Sequence, residues 1–116
     1  MTACSRISWM MKSEEQSNPA ILAAENYEKN VVTYTTSTFA TILLEHANPQ
    51  RGERMVDVAC STGIVARKTA SRVGVGRAVV AVDINPSMLT VGRSLLALEG
   101  AIIDWREGGP GAPAAR

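Results

Sequence analysis

Two periodicities share this chain. In SNPAILAAENYEKN, a cap from Ser17 or Asn18, a proline suited to a first turn at Pro19 and the following Ala and Leu residues predict a short helix to about Lys29. In TSTFATILLEHAN, Phe39, Ile42, Leu43 and Ala47 fall at helical spacing and predict a second helix. Its start is blurred by Thr33, Thr35, Thr36, Thr38 and Thr41, whose branched side chains weaken helix. PQRGER breaks the pattern at Pro49 and Gly52, and Met55 to Ala59 then reads as a buried, mainly apolar strand. From Gly63 onward, Val65, Ala66, Thr69, Ala70 and Val73 return to helical spacing until GVGR ends the run.

A second apolar strand covers residues 78 to 82 and closes at Asp83, after which Asn85 and Pro86 start another helix. After Gly100, AIIDW supplies a third short strand. Strand, helix, strand, helix, strand is the order of a parallel α/β unit. The expected fold is therefore a three-stranded parallel sheet flanked by helices, arranged in three layers with helices on both faces. The segment 1–12 is expected to be a disordered leader, 13–108 the folded portion, and 109–116, in the Gly/Pro-rich REGGPGAPAAR, a flexible tail.

Composition narrows the partners. The chain has 116 residues, 46% hydrophobic and 20% charged, which suits one globular domain. Twelve Lys and Arg nearly balance eleven Asp and Glu, so no net charge draws it to nucleic acid or to an anionic membrane. MTACSRISWMMK lacks the apolar run of a signal peptide, and the stretch from Ser71 to Pro86 is interrupted by Arg77 and Asp83 well short of a membrane span. Cys4 and Cys60 are too few for a disulfide framework, so a reducing, cytoplasmic setting is expected. His46 is the single histidine, and no CxxC or HExxH spacing occurs, so no metal site is expected; His46 reads as a favourable charge at a helix C-terminus.

The chemistry concentrates in VDVACSTGIVAR, residues 56–67. A loop of small residues between a strand and a helix lets backbone N–H groups approach a polar ligand, and the helix N-terminus adds partial positive charge. Asp83 follows Gly63 by twenty residues and ends the next strand, where a carboxylate can accept hydrogen bonds from ribose hydroxyls. Asp57 is a carboxylate in a strand, costly unless hydrogen-bonded. Plainer roles stand beside these: Asp57 as a structural or backbone-capping group, Asp83 as a cap for the helix at Pro86, and Cys60 as a small buried residue with no base to activate it.

These motifs resemble the class I S-adenosylmethionine-dependent methyltransferases, in particular the small-molecule branch that includes ubiquinone and menaquinone biosynthesis methyltransferases. GERMVDVACSTGIVAR is similar to the first motif of that family, VVAVDINPSMLTVGR to its second and IDWREG to the start of its third. The resemblance covers about residues 27 to 108. It implies a Rossmann-like methyltransferase fold, S-adenosyl-L-methionine as cofactor and a small-molecule methyl acceptor. It also implies site roles: Asp57 at the methionine end, Ala59, Cys60, Ser61, Thr62 and Gly63 around the cofactor, Asp83 at the ribose, and Ile84 and Met88 flanking adenine. For Met88, a methionine in the first turn of a helix is more often core filler than an adenine contact.

The departures are as specific as the matches. Ser61 stands where the family has its central glycine, and a side chain there costs on the order of 1 kcal/mol if the backbone has positive φ. Gly109 stands where an aspartate would meet the adenine amino group. The family sheet has seven strands, and this chain carries motifs for three, so the expectation is a truncated N-terminal portion, inactive alone, with no nameable catalytic base. An open sheet edge at the first strand is expected to promote self-association. Two other readings are a non-catalytic binding remnant and a nicotinamide-binding domain. The latter fits less well, because Ala59, Ser61 and Ile64 would occupy the three glycine positions of its fingerprint.

Overall fold

The computed structural model describes residues 18–95 and 100–109. The expected leader, Ser17 as an alternative cap, and the tail beyond Gly109 lie outside those residues. Helix α1 (Pro19–Asn26) begins as the sequence predicts: Asn18 Oδ1 accepts from the Ala20 and Ile21 amides at 3.0 and 3.4 Å, with Pro19 in the first turn. The chain does not then end one helix and start another. It continues through a π-helical segment (Tyr27–Thr36) directly into α2 (Ser37–Ala47), which corrects the expectation of two separate helices.

The threonines that blurred the pattern sit in and around this wider turn. Thr33 Oγ1 donates to the Glu28 carbonyl five residues back at 3.2 Å, and the Ser37 amide reaches the Val32 carbonyl, also five back. The helical rod thereby presents different partners at its two ends. Ile21 and Ala24 of α1 pack with Val91, Met88 and Leu95, while α2 packs on the helix that follows the first strand. At the far end of α2, His46 lies in the last turn and Asn48 closes the helix with φ 47°.

Strands β1 (Met55–Val58), β2 (Ala78–Asp83) and β3 (Ile102–Glu107) form one parallel sheet in the order β1-β2-β3. Crossovers run through α3 (Ile64–Val73) and α4 (Pro86–Ser94). The parallel three-stranded sheet flanked by helices is thus as expected. β3 starts one residue later than AIIDW and extends two further, and β1 stops before Ala59.

The three-layer expectation, with helices on both faces, is corrected: among the described residues helices cover one face of the sheet only. Register aligns Met55 with Val79 and Ile103, and Asp57 with Ala81 and Trp105. On this face Val79 and Ala81 are fully buried against Ala66, Ala70 and Val73 of α3 and Leu89 of α4. The opposite face aligns Val56 with Val80 and Asp104, and Val58 with Val82 and Arg106. There Val56 and Val58 are 61% and 60% exposed and Ile102 is 79% exposed, so β1 is not the buried strand its composition suggested. A strand apolar on both sides is patterned for two covered faces, and here only one is covered.

Candidate functional site

The loop from Ala59 to Gly63 leaves β1 in an unusual backbone conformation. Ala59 and Ser61 have φ of 57° and 54°, and Gly63 has φ 83°, so three of five residues are left-handed. Ser61 therefore occupies a conformation that favours glycine, and its side chain costs on the order of 1 kcal/mol there. The Cys60 amide donates to the Val82 carbonyl at 2.9 Å, and the Gly63 amide to the Cys60 carbonyl at 2.8 Å, which winds the loop against the end of β2.

Asp83 fastens that winding. Its Oδ2 accepts from the Ser61 amide and its Oδ1 from the Asn85 amide, both at 2.8 Å. The cap of α4 is Asn85 itself, whose side chain accepts from the Ser87 amide at 3.0 Å, so Asp83 is not the cap of that helix. Each Asp83 oxygen keeps a second lone pair, the capacity that a ribose diol would use.

Asp57 replaces the cap that Gly63, lacking a side chain, cannot supply to α3. Its Oδ2 accepts from the Ala66 amide at 3.1 Å, in the first turn of that helix. Asp57 also lines a mainly apolar cavity of about 160 Å³ with Leu43, Met55 and Val65. Burial pushes its carboxyl above 3.8; the Ala66 bond pulls the other way, and the nearby Asp83 charge adds to the rise. Burial likewise pushes the Cys60 thiol up to about 12, with Asp57 and Asp83 adding to it, so at neutral pH Cys60 is a packed thiol and not a nucleophile.

The remaining sequence candidates divide by exposure. Ile84, just past Asp83, is 73% exposed, and Gly109 lies so close that a Cβ there would sit 2.8 Å from the Ile84 Cγ2. Met88 instead packs against the cluster of Ile21, Ala24 and Val91, the core-filling role. Thr62 and Gly63 are buried and Ala59 is exposed. The structure thus gathers Ala59, Ser61, Asp83 and Ile84 at the C-terminal ends of β1 and β2, where open α/β sheets bind ligands. A carboxylate with spare lone pairs beside an exposed apolar side chain suits an adenosine group.

Two supports of this site are given no role by the motifs, although Trp105 falls within IDWREG. Trp105 of β3 wedges under the loop: a Cβ on Gly63 would run into its ring, and one on Gly92 would lie 2.6 Å from Cη2 and 2.8 Å from the Thr62 carbonyl oxygen. An isolated glycine inside a helical pattern, as at Gly92, is the one local signal of such an approach. Glu28 is the second, and no local pattern marks it. Its Oε2 accepts from Thr62 Oγ1 at 2.5 Å and its Oε1 pairs with Arg67 Nη2 at 2.7 Å, across 34 and 39 residues of sequence.

The profile of the ubiE/COQ5 methyltransferase family matches residues 24–109, and the chain belongs to that family. It is similar to the ubiquinone/menaquinone biosynthesis C-methyltransferase UbiE of Neisseria meningitidis serogroup C (strain 053442), 46% identical over 57 residues, which are 49% of this chain and 23% of that protein. The protein of the same name in Chromobacterium violaceum is 48% identical over 52 residues, 45% of this chain and 21% of the relative. That of Laribacter hongkongensis is 45% identical over 60 residues, 52% and 25% respectively. The chain thus spans about a quarter of the length of the curated relatives it matches. Among the described residues, no helix is long and apolar enough to cross a membrane.

Proposed function

We propose that this chain forms the cofactor-binding part of a methyltransferase, taking S-adenosyl-L-methionine at the C-terminal ends of β1 and β2. The observation that carries the reading is the left-handed loop after β1, drawn onto Asp83 through the Ser61 amide at 2.8 Å in a chain of the ubiE/COQ5 family. Asp83 would accept from the ribose hydroxyls, Ile84 would lie along adenine, the backbone of Ala59 to Gly63 would wrap the ligand, and Asp57 would support its methionine end through α3. The cofactor supplies an electrophilic sulfonium methyl. The chain supplies orientation and exclusion of water, and the acceptor is a small molecule. A cytoplasmic setting belongs with this reading.

We expect no methyl transfer from these 116 residues alone. Ligands of doubly wound sheets lie in a crevice with two walls, and the described residues build one of them. Positioning an acceptor in a complete crevice is worth about 7 to 11 kcal/mol of barrier. A second reading, a non-catalytic binding remnant that associates with itself, is favoured by the exposed Val56, Val58 and Ile102.

Calorimetric titration with S-adenosylhomocysteine tests the first reading. Ile84→Ala is the informative variant, because a side chain 73% exposed contributes little to the fold. The wild type should bind and Ile84→Ala should bind more weakly. Asp83→Ala should cost about 1.5 to 3 kcal/mol in affinity. Binding of NADH in place of S-adenosylhomocysteine, or equal affinity in the wild type and both variants, would overturn the reading.

A further inference from the structure

We propose that Glu28 is a positioning residue for the loop Ala59 to Gly63, clamping it to the π-helical segment through Thr62 and Arg67. The inference rests on the reading that this loop holds the cofactor. Left-handed alanine and serine are unfavourable and persist only where their surroundings over-determine them. Three contacts do so here: Asp83 on the Ser61 amide, the Trp105 ring beneath Gly63, and Glu28 on the Thr62 hydroxyl. The third differs in kind, because it comes from outside the sheet and its crossovers.

Glu28 closes a three-membered polar cluster with little water around it. Thr62 is fully buried, and the Glu28 and Arg67 side chains are 19% and 18% exposed. Arg67 Nε is buried with no hydrogen-bond partner among the described residues, so the guanidinium depends on the Glu28 carboxylate. Arg67 lies in the first turns of α3 and Thr62 just before it, so one carboxylate grips both the loop and the helix it feeds. The π-helical backbone around Glu28, held partly by Thr33 on the Glu28 carbonyl, fixes where that carboxylate points. Loop order, and with it the affinity for cofactor, therefore depends on a residue 34 positions upstream of Thr62.

The test combines amide hydrogen exchange and S-adenosylhomocysteine titration on the full 116-residue chain. Glu28→Ala and Thr62→Val should each speed exchange by about tenfold or more at Ser61 and Gly63, whose amides donate to Asp83 and Cys60, while Val79 to Ala81 of β2 keep their rates. The double variant should exchange no faster than Glu28→Ala, which already removes the Thr62–Glu28 bond together with the Arg67 pair. Thr62→Ser, which keeps the hydroxyl, should restore the protection that Thr62→Val loses. Affinity for S-adenosylhomocysteine should fall about tenfold in Glu28→Ala, the counterpart of one charged hydrogen bond. Unchanged loop exchange, or an equal rise in the loop and β2, would overturn the clamp. Faster loop exchange with unchanged affinity would overturn the positioning role. A wild type that binds no S-adenosylhomocysteine would defeat the functional reading, while the exchange rates would still decide the clamp.

Discussion

The two faces of the sheet are built from the same kinds of residue and have opposite fates. Val79 and Ala81 are fully buried under α3 and α4, whereas Val56 and Val58, on the neighbouring strand, are about three-fifths exposed. β-branched, apolar side chains serve both rows, so composition does not separate them. What separates them is the crossovers: α3 and α4 both return over one face, and among the described residues nothing covers the other. The site follows the covered face. Asp57, Asp83 and Trp105 all belong to that set of strand positions, and each reaches the loop or the helix it starts.

The largest test of this contrast is truncation in the covered layer. Leu89→Ala, at a residue 1% exposed, should cost about 2 to 5 kcal/mol in urea denaturation. Val58→Thr, on the bare face, should stay within about 0.5 kcal/mol. Equal losses at the two positions would mean that the bare face is covered in solution, by a second copy or by residues outside those described. The next effect concerns that face directly. The wild type should self-associate at micromolar concentration in sedimentation velocity, and Val56→Lys with Val58→Lys should shift it to monomer by charging an exposed edge strand. A wild type that stays monomeric would remove the self-association reading.

Most of the fold could be read from the chain, and its failures share a cause. The strands, the start of α1, α3 and the capped start of α4 follow from local signals: Asn18 with Pro19, apolar spacing between Val65 and Val73, and Asn85 with Pro86. The missed features are tertiary. A π-helical run replaces a helix break because Thr33 and its neighbours find partners five residues back, an outcome that propensity alone does not encode. The bare face was missed because an apolar strand predicts burial without saying what provides it. At the site the motif residues are visible, but Glu28 and Trp105 act across long sequence separations, and neither the IDWREG motif that holds Trp105 nor any pattern at Glu28 assigns them this role.

A smaller effect sharpens the contrast at the loop, where the covered face ends. Ser61 has φ 54° and a half-buried side chain, so Ser61→Gly should relieve backbone strain of about 1 kcal/mol. Stability should rise by that amount in urea denaturation, and S-adenosylhomocysteine should bind no less tightly. A fall in stability would show that the serine side chain makes a contact worth more than its backbone costs. It would also show that the departure from the family glycine is compensated in this chain.

The smallest effect is a slope with pH, and it reads the electrostatics of the covered face at Asp57. Burial against an apolar cavity, reinforced by the Asp83 charge, raises its carboxyl above 3.8 despite the Ala66 hydrogen bond. The folded chain therefore holds this proton more tightly than the unfolded chain. The corresponding stability is fully present below 3.8 and is lost as pH rises through the folded value. Asp57→Asn does not titrate, yet its amide oxygen can still accept from the Ala66 amide. The stability of the variant minus that of the wild type should accordingly rise as pH climbs from 3.8 through the folded value and then level off. Urea denaturation of both proteins across that range cancels the titration of carboxylates remote from Asp57, and loss of the Asp57–Asp83 repulsion acts in the same direction. A constant difference would mean that the Ala66 hydrogen bond offsets burial and the Asp83 charge in full, and that the place of Asp57 beneath the loop imposes no net electrostatic cost.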